Sequence, residues 1–340
     1  MSSTTEFDPD FTPSYQTCDG VSPQCPVELT LYGDYFNLGA CIFFAVAFLL
    51  FFVAQGWFAW KSKAWSYVSY LAVGTFFEMV GYICRIVLYD NPWQYGAFVI
   101  QLLFLIIGPT LVAAAISVTA KHLIIYFGPE GSPIKPRWIP WVFVGSDFFS
   151  IFIQAVGGSV AGIATAGEEP NRKLQDVSSA LLVAGVSFQL ANMAFCAGLM
   201  VIYWMRLRKR TKTEADAGVA TATHSGGFFS RLRNDKVFMF IVALSVAYVA
   251  IVIRCIYRVP EMASGWASDL MQSEATFLVF DGTMVLIAVG LLTVFHPWKL
   301  FPPMGARARG EVVDADNAIA LDSREESTER VTEEGTRVER

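Results

Sequence analysis

The sequence predicts an all-α, polytopic membrane protein with seven transmembrane helices. Of its 340 residues 54% are apolar and only 16% are charged, whereas roughly a quarter of the residues of a soluble domain are charged. The apolar residues also form long blocks, and residues 35–60 include no Asp, Glu, Lys, Arg or His. At about 1.5 Å per residue, such a block is longer than the roughly 30 Å hydrocarbon core of a bilayer. This composition excludes a soluble enzyme, a nucleic-acid-binding protein and a disordered protein.

Seven nearly uncharged stretches of helical length follow one another along the chain. Polar connectors such as Asp90-Asn91-Pro92 separate them, because Pro and Asn interrupt helices. The predicted spans are approximately 35–60, 64–89, 93–120, 138–165, 177–205, 237–258 and 274–296.

These spans divide the chain into three parts. We expect residues 1–34 to form an extracellular N-terminal tail and residues 35–300 to form the seven-helix membrane domain. Residues 301–340 are predicted to be a disordered cytoplasmic tail, since ten acidic residues lie beyond Gly310 and few large apolar residues accompany them.

The distribution of Lys and Arg predicts the orientation in the membrane, because cytoplasmic loops carry an excess of these residues. The first 34 residues contain neither Lys nor Arg, whereas the 206–236 loop contains eight of them. An odd number of spans places the two termini on opposite sides. We therefore expect the N-terminus outside and the C-terminus in the cytoplasm, with the plasma membrane as the location.

Two of the six cysteines, Cys18 and Cys25, lie in the outside tail, and the other four lie in predicted spans. An oxidising compartment permits a disulfide between Cys18 and Cys25 that closes a short loop. The sequence leaves open whether the two thiols are bridged.

Ionisable residues inside the spans are the candidate functional residues. A charge at the centre of a membrane helix costs about 2.5–3.5 kcal/mol on the insertion scale, so each one needs a partner or a function. Within several spans these residues are spaced so that they share one helical face, and one polar cavity open to the outside would collect most of them. The primary candidates for substrate binding or coupling are Glu78, Arg85, Arg254, Arg258, Glu261, Glu274 and Asp281, and the secondary candidates are Gln101, Asp147, Gln154 and Gln189.

Some of these charges have a purely structural interpretation. Buried Glu–Arg pairs can fix the register of helices, and the spacing suggests Arg85 with Glu78 and Arg254 with Glu261. The sequence leaves open whether these pairs act in packing or in function.

Five acids accompany only three arginines in this set, so at least one acid must be protonated, exposed to water or neutralised by a ligand. We favour a functional role for Glu274 and Asp281, because the suggested pairs already occupy the arginines. Gln101, Gln154 and Gln189 are expected to form hydrogen bonds between helices.

Several short patterns occur in a fixed order along the membrane domain. They are Glu78-x-x-Gly81-Tyr82-x-x-Arg85, Gln101 with Pro109 and Ala113-Ala114, Asp147 with Ser150, Gln154 and Gly157-Gly158, Gly185-x-x-x-Gln189, Arg254-x-x-Tyr257-Arg258-x-x-Glu261, Gly265, Glu274, Phe280-Asp281 and His296-Pro297. In this combination the chain resembles the fungal lipid-translocating exporter family over about 35–300. Ser117 and Leu278 stand where that family usually has tyrosines.

The resemblance implies a transporter or translocator of amphipathic lipids that contributes to resistance against sphingoid long-chain bases or sterol-like toxicants. Porphyrin traffic characterises one branch of the family. An ammonium headgroup would bind to acids such as Glu274 and Asp281, whereas a carboxylated porphyrin would bind to Arg85, Arg254 or Arg258. The implied partners are membrane lipids and an amphipathic small molecule.

The main alternative is a seven-helix receptor or sensor that couples through the basic 206–236 loop. The cytoplasmic end of span 3 reads Ala120-Lys121-His122 and lacks the acid–arginine pair of common receptors.

A retinal protein is excluded because span 7 contains no Lys for a Schiff base. A metal hydrolase would need about three His and a carboxylate, but the chain has three His in all and His224 lies in a Gly/Ser/Thr-rich loop. We therefore expect no metal, no cofactor and no enzymatic activity.

Overall fold

The computed structural model describes residues 13, 15, 17–62, 65–127, 139–166, 172–216, 235–264 and 268–300. Most of these residues from Leu38 onward are helical, and seven of the helical segments are long and apolar enough to cross a membrane. The predicted all-α class and the seven spans are thus confirmed, and the chain is a multi-pass membrane protein. The predicted cytoplasmic tail, 301–340, lies outside the described residues.

Each of the first six spans is a single helix. They are α1 (Leu38–Ser62), α2 (Trp65–Asp90), α3 (Tyr95–Phe127), α4 (Ile139–Ala166), α5 (Arg172–Asp216) and α6 (Asp235–Ala263). The fifth helix continues past its predicted end at 205, because the Arg, Lys and Glu residues that follow are polar but are good helix formers.

The seventh span, Glu274–Val294, is not one regular helix. Short helix α7 (Asp269–Gln272) precedes it, and the span itself consists of α8 (Glu274–Phe277), a π-helical turn (Leu278–Thr283) and α9 (Met284–Val294). The last helix of the described residues, α10 (Pro297–Leu300), starts after a break at Phe295 and His296.

Small residues let the helices approach closely. A Cβ atom added to Gly74 of α2 would lie 2.7 Å from the carbonyl oxygen of Gly108 in α3, and one added to Gly185 of α5 would lie 2.5 Å from Cγ of Gln154 in α4. Serine strengthens the second contact, since Ser150 Oγ donates to the carbonyl oxygen of Gly185 at 2.7 Å. Membrane helices associate through such close packing and interhelical hydrogen bonds.

The described part of residues 13–37 folds back onto the end of the bundle, and we call it the N-terminal cap. The structure joins Cys18 and Cys25 in a disulfide with a Cα–Cα distance of 6.0 Å. Trp93, between α2 and α3, donates its indole N–H to the carbonyl oxygen of Cys25 at 3.1 Å. The described part of the segment that was expected to be a tail therefore covers one end of the helices.

The orientation in the membrane stays a prediction from the cation distribution. We expect an epitope tag within residues 1–30 to bind antibody on intact cells, and a tag after residue 305 to bind only after permeabilisation. A cytosolic marker protein serves as the control for intact membranes. Detection of both tags from one side of the membrane would contradict an odd number of spans.

Candidate functional site

A cavity of about 230 Å³ lies between the N-terminal cap and the ends of the membrane helices. Its lining combines charged, amide and aromatic side chains from the cap, α2, α3, α6, α7 and α8. The lining residues are Tyr32, Asp34, Tyr35, Phe36, Arg85, Gln101, Leu102, Leu105, Arg258, Glu261, Met262, Met271, Gln272, Glu274 and Phe277. Five of the predicted site residues thus come together here, namely Arg85, Gln101, Arg258, Glu261 and Glu274.

Arg85 connects three elements at the wall of this cavity. Its guanidinium carbon lies 4.0 Å from the ring centre of Phe36 in the cap and 4.4 Å from that of Phe277 in α8. Aromatic faces attract guanidinium groups at such distances. Its Nη2 atom is 3.6 Å from Oε1 of Glu274. The predicted pairing of Arg85 with Glu78 is therefore wrong, because α8 supplies a nearer carboxylate than the same helix does.

Polar contacts tie the cap to the cavity. The backbone N–H of Asn37 donates to both carboxylate oxygens of Glu274, at 2.9 and 2.8 Å. Gln101 of α3 donates from Nε2 to the hydroxyl of Tyr32 at 2.8 Å, so its partner is in the cap and not in a neighbouring helix. Burial raises the pKa of the Tyr32 phenol above its ordinary value. The cap therefore closes the cavity through a small number of bonds.

Asp281 does not line the cavity, but it forms ion pairs with two arginines, one of which, Arg258, does line it. Its Oδ1 atom is 2.8 Å from Nε of Arg254 and 2.8 Å from Nε of Arg258. Arg254 also donates to the backbone carbonyl of Leu105, and Arg258 Nη1 is 3.0 Å from Oε2 of Glu261. The predicted pairing of Arg254 with Glu261 is wrong, since Glu261 binds Arg258 one turn before it on α6.

The π-helical turn Leu278–Thr283 sets the position of Asp281. Such turns insert one extra residue in a helical turn and occur frequently at functional sites. The following residue, Gly282, leaves no room for a side chain, because a Cβ atom there would lie 2.2 Å from the hydroxyl oxygen of Tyr82. This turn was not predicted from the sequence. Tyr82, which Gly282 approaches, does belong to the pattern Glu78-x-x-Gly81-Tyr82-x-x-Arg85.

Of the four acids near the charged cavity, Glu78, Glu261, Glu274 and Asp281, Glu78 is the one without an ion-pair partner among the described residues. It is fully buried, and neither carboxyl oxygen has a hydrogen-bond partner among the described residues. The other three acids, Glu261, Glu274 and Asp281, pair with the three arginines, so those six charges balance. The surplus acid of the cluster is therefore Glu78, and the expectation that Glu274 and Asp281 lack arginine partners is wrong.

The secondary candidates on α4 and α5 lie apart from this cavity. Gln154 donates to Ser150 Oγ at 2.8 Å and to Gln189 Oε1 at 3.3 Å, so these glutamines do bond between helices. Asp147 Oδ1 accepts from Nδ2 of Asn192 at 2.8 Å. Asn192 was not among the predicted residues, although a polar residue in an apolar span was a signal that could have found it.

Histidines do not form a metal centre in the part of the chain that the structure describes. There, no group of three or more His, Cys, Asp or Glu side chains is arranged to hold a metal ion. His296 is buried with its ring 5.0 Å from that of Phe58 and 5.5 Å from that of Tyr67. These ring contacts give His296 a packing role at the break after α9.

The sequence is similar to a protein family and to several named fungal proteins. Residues 71–304 match the model of the family described as RTA1-like protein. The sphingoid long-chain base transporter RSB1 of Saccharomyces cerevisiae is 28% identical over 258 residues, which cover 70% of this chain and 65% of the relative. Protein RTA1 of the same species is 25% identical, with 69% and 66% covered. The lipid-translocating exporter-like protein RTA1 of Leptosphaeria maculans is 22% identical, with 82% and 53% covered.

The chain thus spans less than two thirds of the length of these relatives. No solved structure matches it.

Proposed function

The chain belongs to the RTA1-like protein family, and on that premise we propose that it translocates amphipathic lipids across a membrane. Two similar proteins are named as a sphingoid long-chain base transporter and a lipid-translocating exporter-like protein, which supports this class of substrate. The observation that carries the proposal is the charged cavity beneath the N-terminal cap. We further propose the plasma membrane as the location, a contribution to resistance against toxic lipids, and no catalytic activity.

The cavity has the chemistry that a lipid headgroup requires. A headgroup that leaves water needs polar partners, because an unpaired charge in hydrocarbon is costly. The cavity offers both signs of charge, from Arg85 and Arg258 on one hand and from Glu261 and Glu274 on the other. A headgroup that enters must therefore exchange with an existing ion pair.

Glu274 is the carboxylate best placed for that exchange. Its side chain is 22% exposed, and its 3.6 Å contact with Arg85 is longer than the ion pairs of Asp281 and Glu261. A cationic headgroup that displaces Arg85 and the backbone N–H of Asn37 from Glu274 would also release one attachment of the cap. Headgroup binding and opening of the cavity are thereby linked in this proposal.

Translocation is tested with the purified chain in liposomes that contain a fluorescent sphingoid base, phospholipid or porphyrin. We expect the base to cross faster than in protein-free liposomes. Glu274→Gln should slow it about tenfold, since a hydrogen bond to a charged group contributes about 1.5–3 kcal/mol and 1.4 kcal/mol corresponds to a factor of ten. Asp269→Asn removes the same charge from an exposed position on α7 and should leave the rate unchanged.

The three lipids distinguish the possible substrates. A preference for the carboxylated porphyrin would assign the site to Arg85 and Arg258 instead of Glu274. If folded protein moves none of the three faster than protein-free liposomes do, the proposed translocation is contradicted.

A further inference from the structure

A second, apolar cavity of about 440 Å³ lies in the other half of the bundle, between α3, α5 and α6. Its walls include Ile116, Leu123, Met200, Trp204, Leu244 and Tyr248. At its rim Val201, Met205 and Val249 are exposed by 56%, 51% and 54%. Because exposed apolar side chains of a membrane helix face hydrocarbon, this groove opens sideways to the lipid.

The carboxylate of Asp147 does not line the groove, but it lies close enough to the groove residues Cys196 and Tyr248 to interact with them electrostatically. Asp147 of α4 is only 4% exposed, and within the described ranges its hydrogen-bond partner is the neutral amide of Asn192, with no Lys or Arg at ion-pair distance. Asn192 precedes the groove-lining Cys196 by one helical turn, about 6 Å along α5. Asp147 thus differs from Glu274 and Asp281, which already bind arginines.

An apolar groove in a membrane does not by itself select a ligand, because lipid tails are as apolar as the side chains that line it. Selection has to come from a polar group at the groove. A buried carboxylate without a cation is unfavourable in a medium of low dielectric constant. An ammonium group beside Asp147 would neutralise it, and an anionic headgroup would be repelled.

We propose that this groove is a second lipid site, which holds the hydrocarbon chain of a single-chain lipid amine while the ammonium pairs with Asp147. The proposal rests on the proposed translocation and adds a residue, a location and a charge preference to it. Asp147 becomes the cation-binding acid of this half of the bundle.

Packed side chains separate the two cavities. A gap of about 10 Å³ adjoins the charged cavity, and Gln154, Gln189, Arg254 and Arg258 are among the residues that line it. Arg258 lines the charged cavity as well. On the other side, Cys255 lines the gap and its Sγ is 3.7 Å from Sδ of Met193, whose backbone carbonyl accepts from the groove residue Tyr248.

Photolabelling tests the proposal on the full chain in lipid nanodiscs. The probe is a long-chain primary amine with a diazirine in its chain, and the matched probe is the alcohol with the same chain. We expect the amine to label peptides of α3, α5 and α6 at the groove more strongly than the alcohol does. Asp147→Asn should raise at least tenfold the concentration of unlabelled amine needed for competition, and should not change competition by the alcohol. Asp176→Asn, an exposed acid on α5, is the control.

A second variant tests the groove independently of charge. Ala197 lines the groove, so Ala197→Phe should abolish labelling by both probes. Ala194→Phe adds the same bulk at an exposed position three residues earlier on α5 and should leave labelling intact. If Asp147→Asn does not elute as folded protein, this comparison and the wild-type preference for the amine decide the proposal.

Equal labelling by amine and alcohol, or groove labelling that survives Ala197→Phe, would overturn the second site. Translocation in liposomes without groove labelling would overturn this inference and leave the proposed function standing. Groove labelling by the amine without translocation would overturn the proposed function and leave the second lipid site standing.

Discussion

Asp281→Asn is expected to lower the free energy of unfolding by about 3–5 kcal/mol and to reduce the amount of folded protein in the membrane. The carboxylate of Asp281 is fully buried and lies 2.8 Å from both Arg254 and Arg258. Asparagine keeps the volume but removes the charge, which leaves Arg254 without a carboxylate among the described residues. Breaking a buried ion pair by removal of one partner has this magnitude because a buried charge remains uncompensated. Thermal unfolding in detergent and membrane abundance measure the effect.

Two variants serve as controls for this result. Glu274→Gln should change stability by less than about 1 kcal/mol, since Glu274 is partly exposed and exposed ion pairs contribute little. Arg254→Met combined with Asp281→Asn should recover part of the loss, because the uncompensated charge is removed as well. Wild-type stability of Asp281→Asn, with only transport lost, would instead support the substrate-binding role that the sequence favoured for Asp281.

Gly282→Ala is expected to destabilise the protein by about 1–3 kcal/mol, the usual cost of extra volume in a packed interior. The added Cβ would lie 2.2 Å from the hydroxyl oxygen of Tyr82 and 3.2 Å from the ring of Phe44. Tyr82 cannot easily move aside, because its ring stacks on those of Phe44 and Phe48 at 4.8 and 5.8 Å. The substitution therefore forces the π-helical turn, and Asp281 with it, away from α2. Thermal unfolding measures the cost.

Tyr82→Phe provides the matched test. The hydroxyl of Tyr82 has no hydrogen-bond partner within the described residues, so its removal alone should change stability little, and it should restore part of the stability of Gly282→Ala. Gly198→Ala, where an added Cβ meets nothing within 4 Å, is the control for alanine in a spanning helix. A Gly282→Ala defect that is the same with and without the Tyr82 hydroxyl would show that the two residues do not meet in this way.

The sequence by itself determined the fold class, the seven spans and the polar residues within them. Each follows from a local property, because a long apolar stretch of about 20 residues crosses hydrocarbon as a helix, which satisfies its backbone hydrogen bonds within the segment. The same argument identifies Glu78, Arg85 and Asp281 as residues in need of a partner or a function. It also identifies the break at His296-Pro297, since proline cannot continue a helix.

Only the tertiary structure decided which charges meet. Spacing along a helix shows which residues share a face, but the rotation and crossing of neighbouring helices select the partner. Arg85 therefore binds Glu274 of another span instead of Glu78 of its own, and Asp281 reaches two arginines because a π-helical turn changes its direction. The N-terminal cap and the groove beside Asp147 likewise arise from contacts between segments distant in sequence, which no local pattern contains.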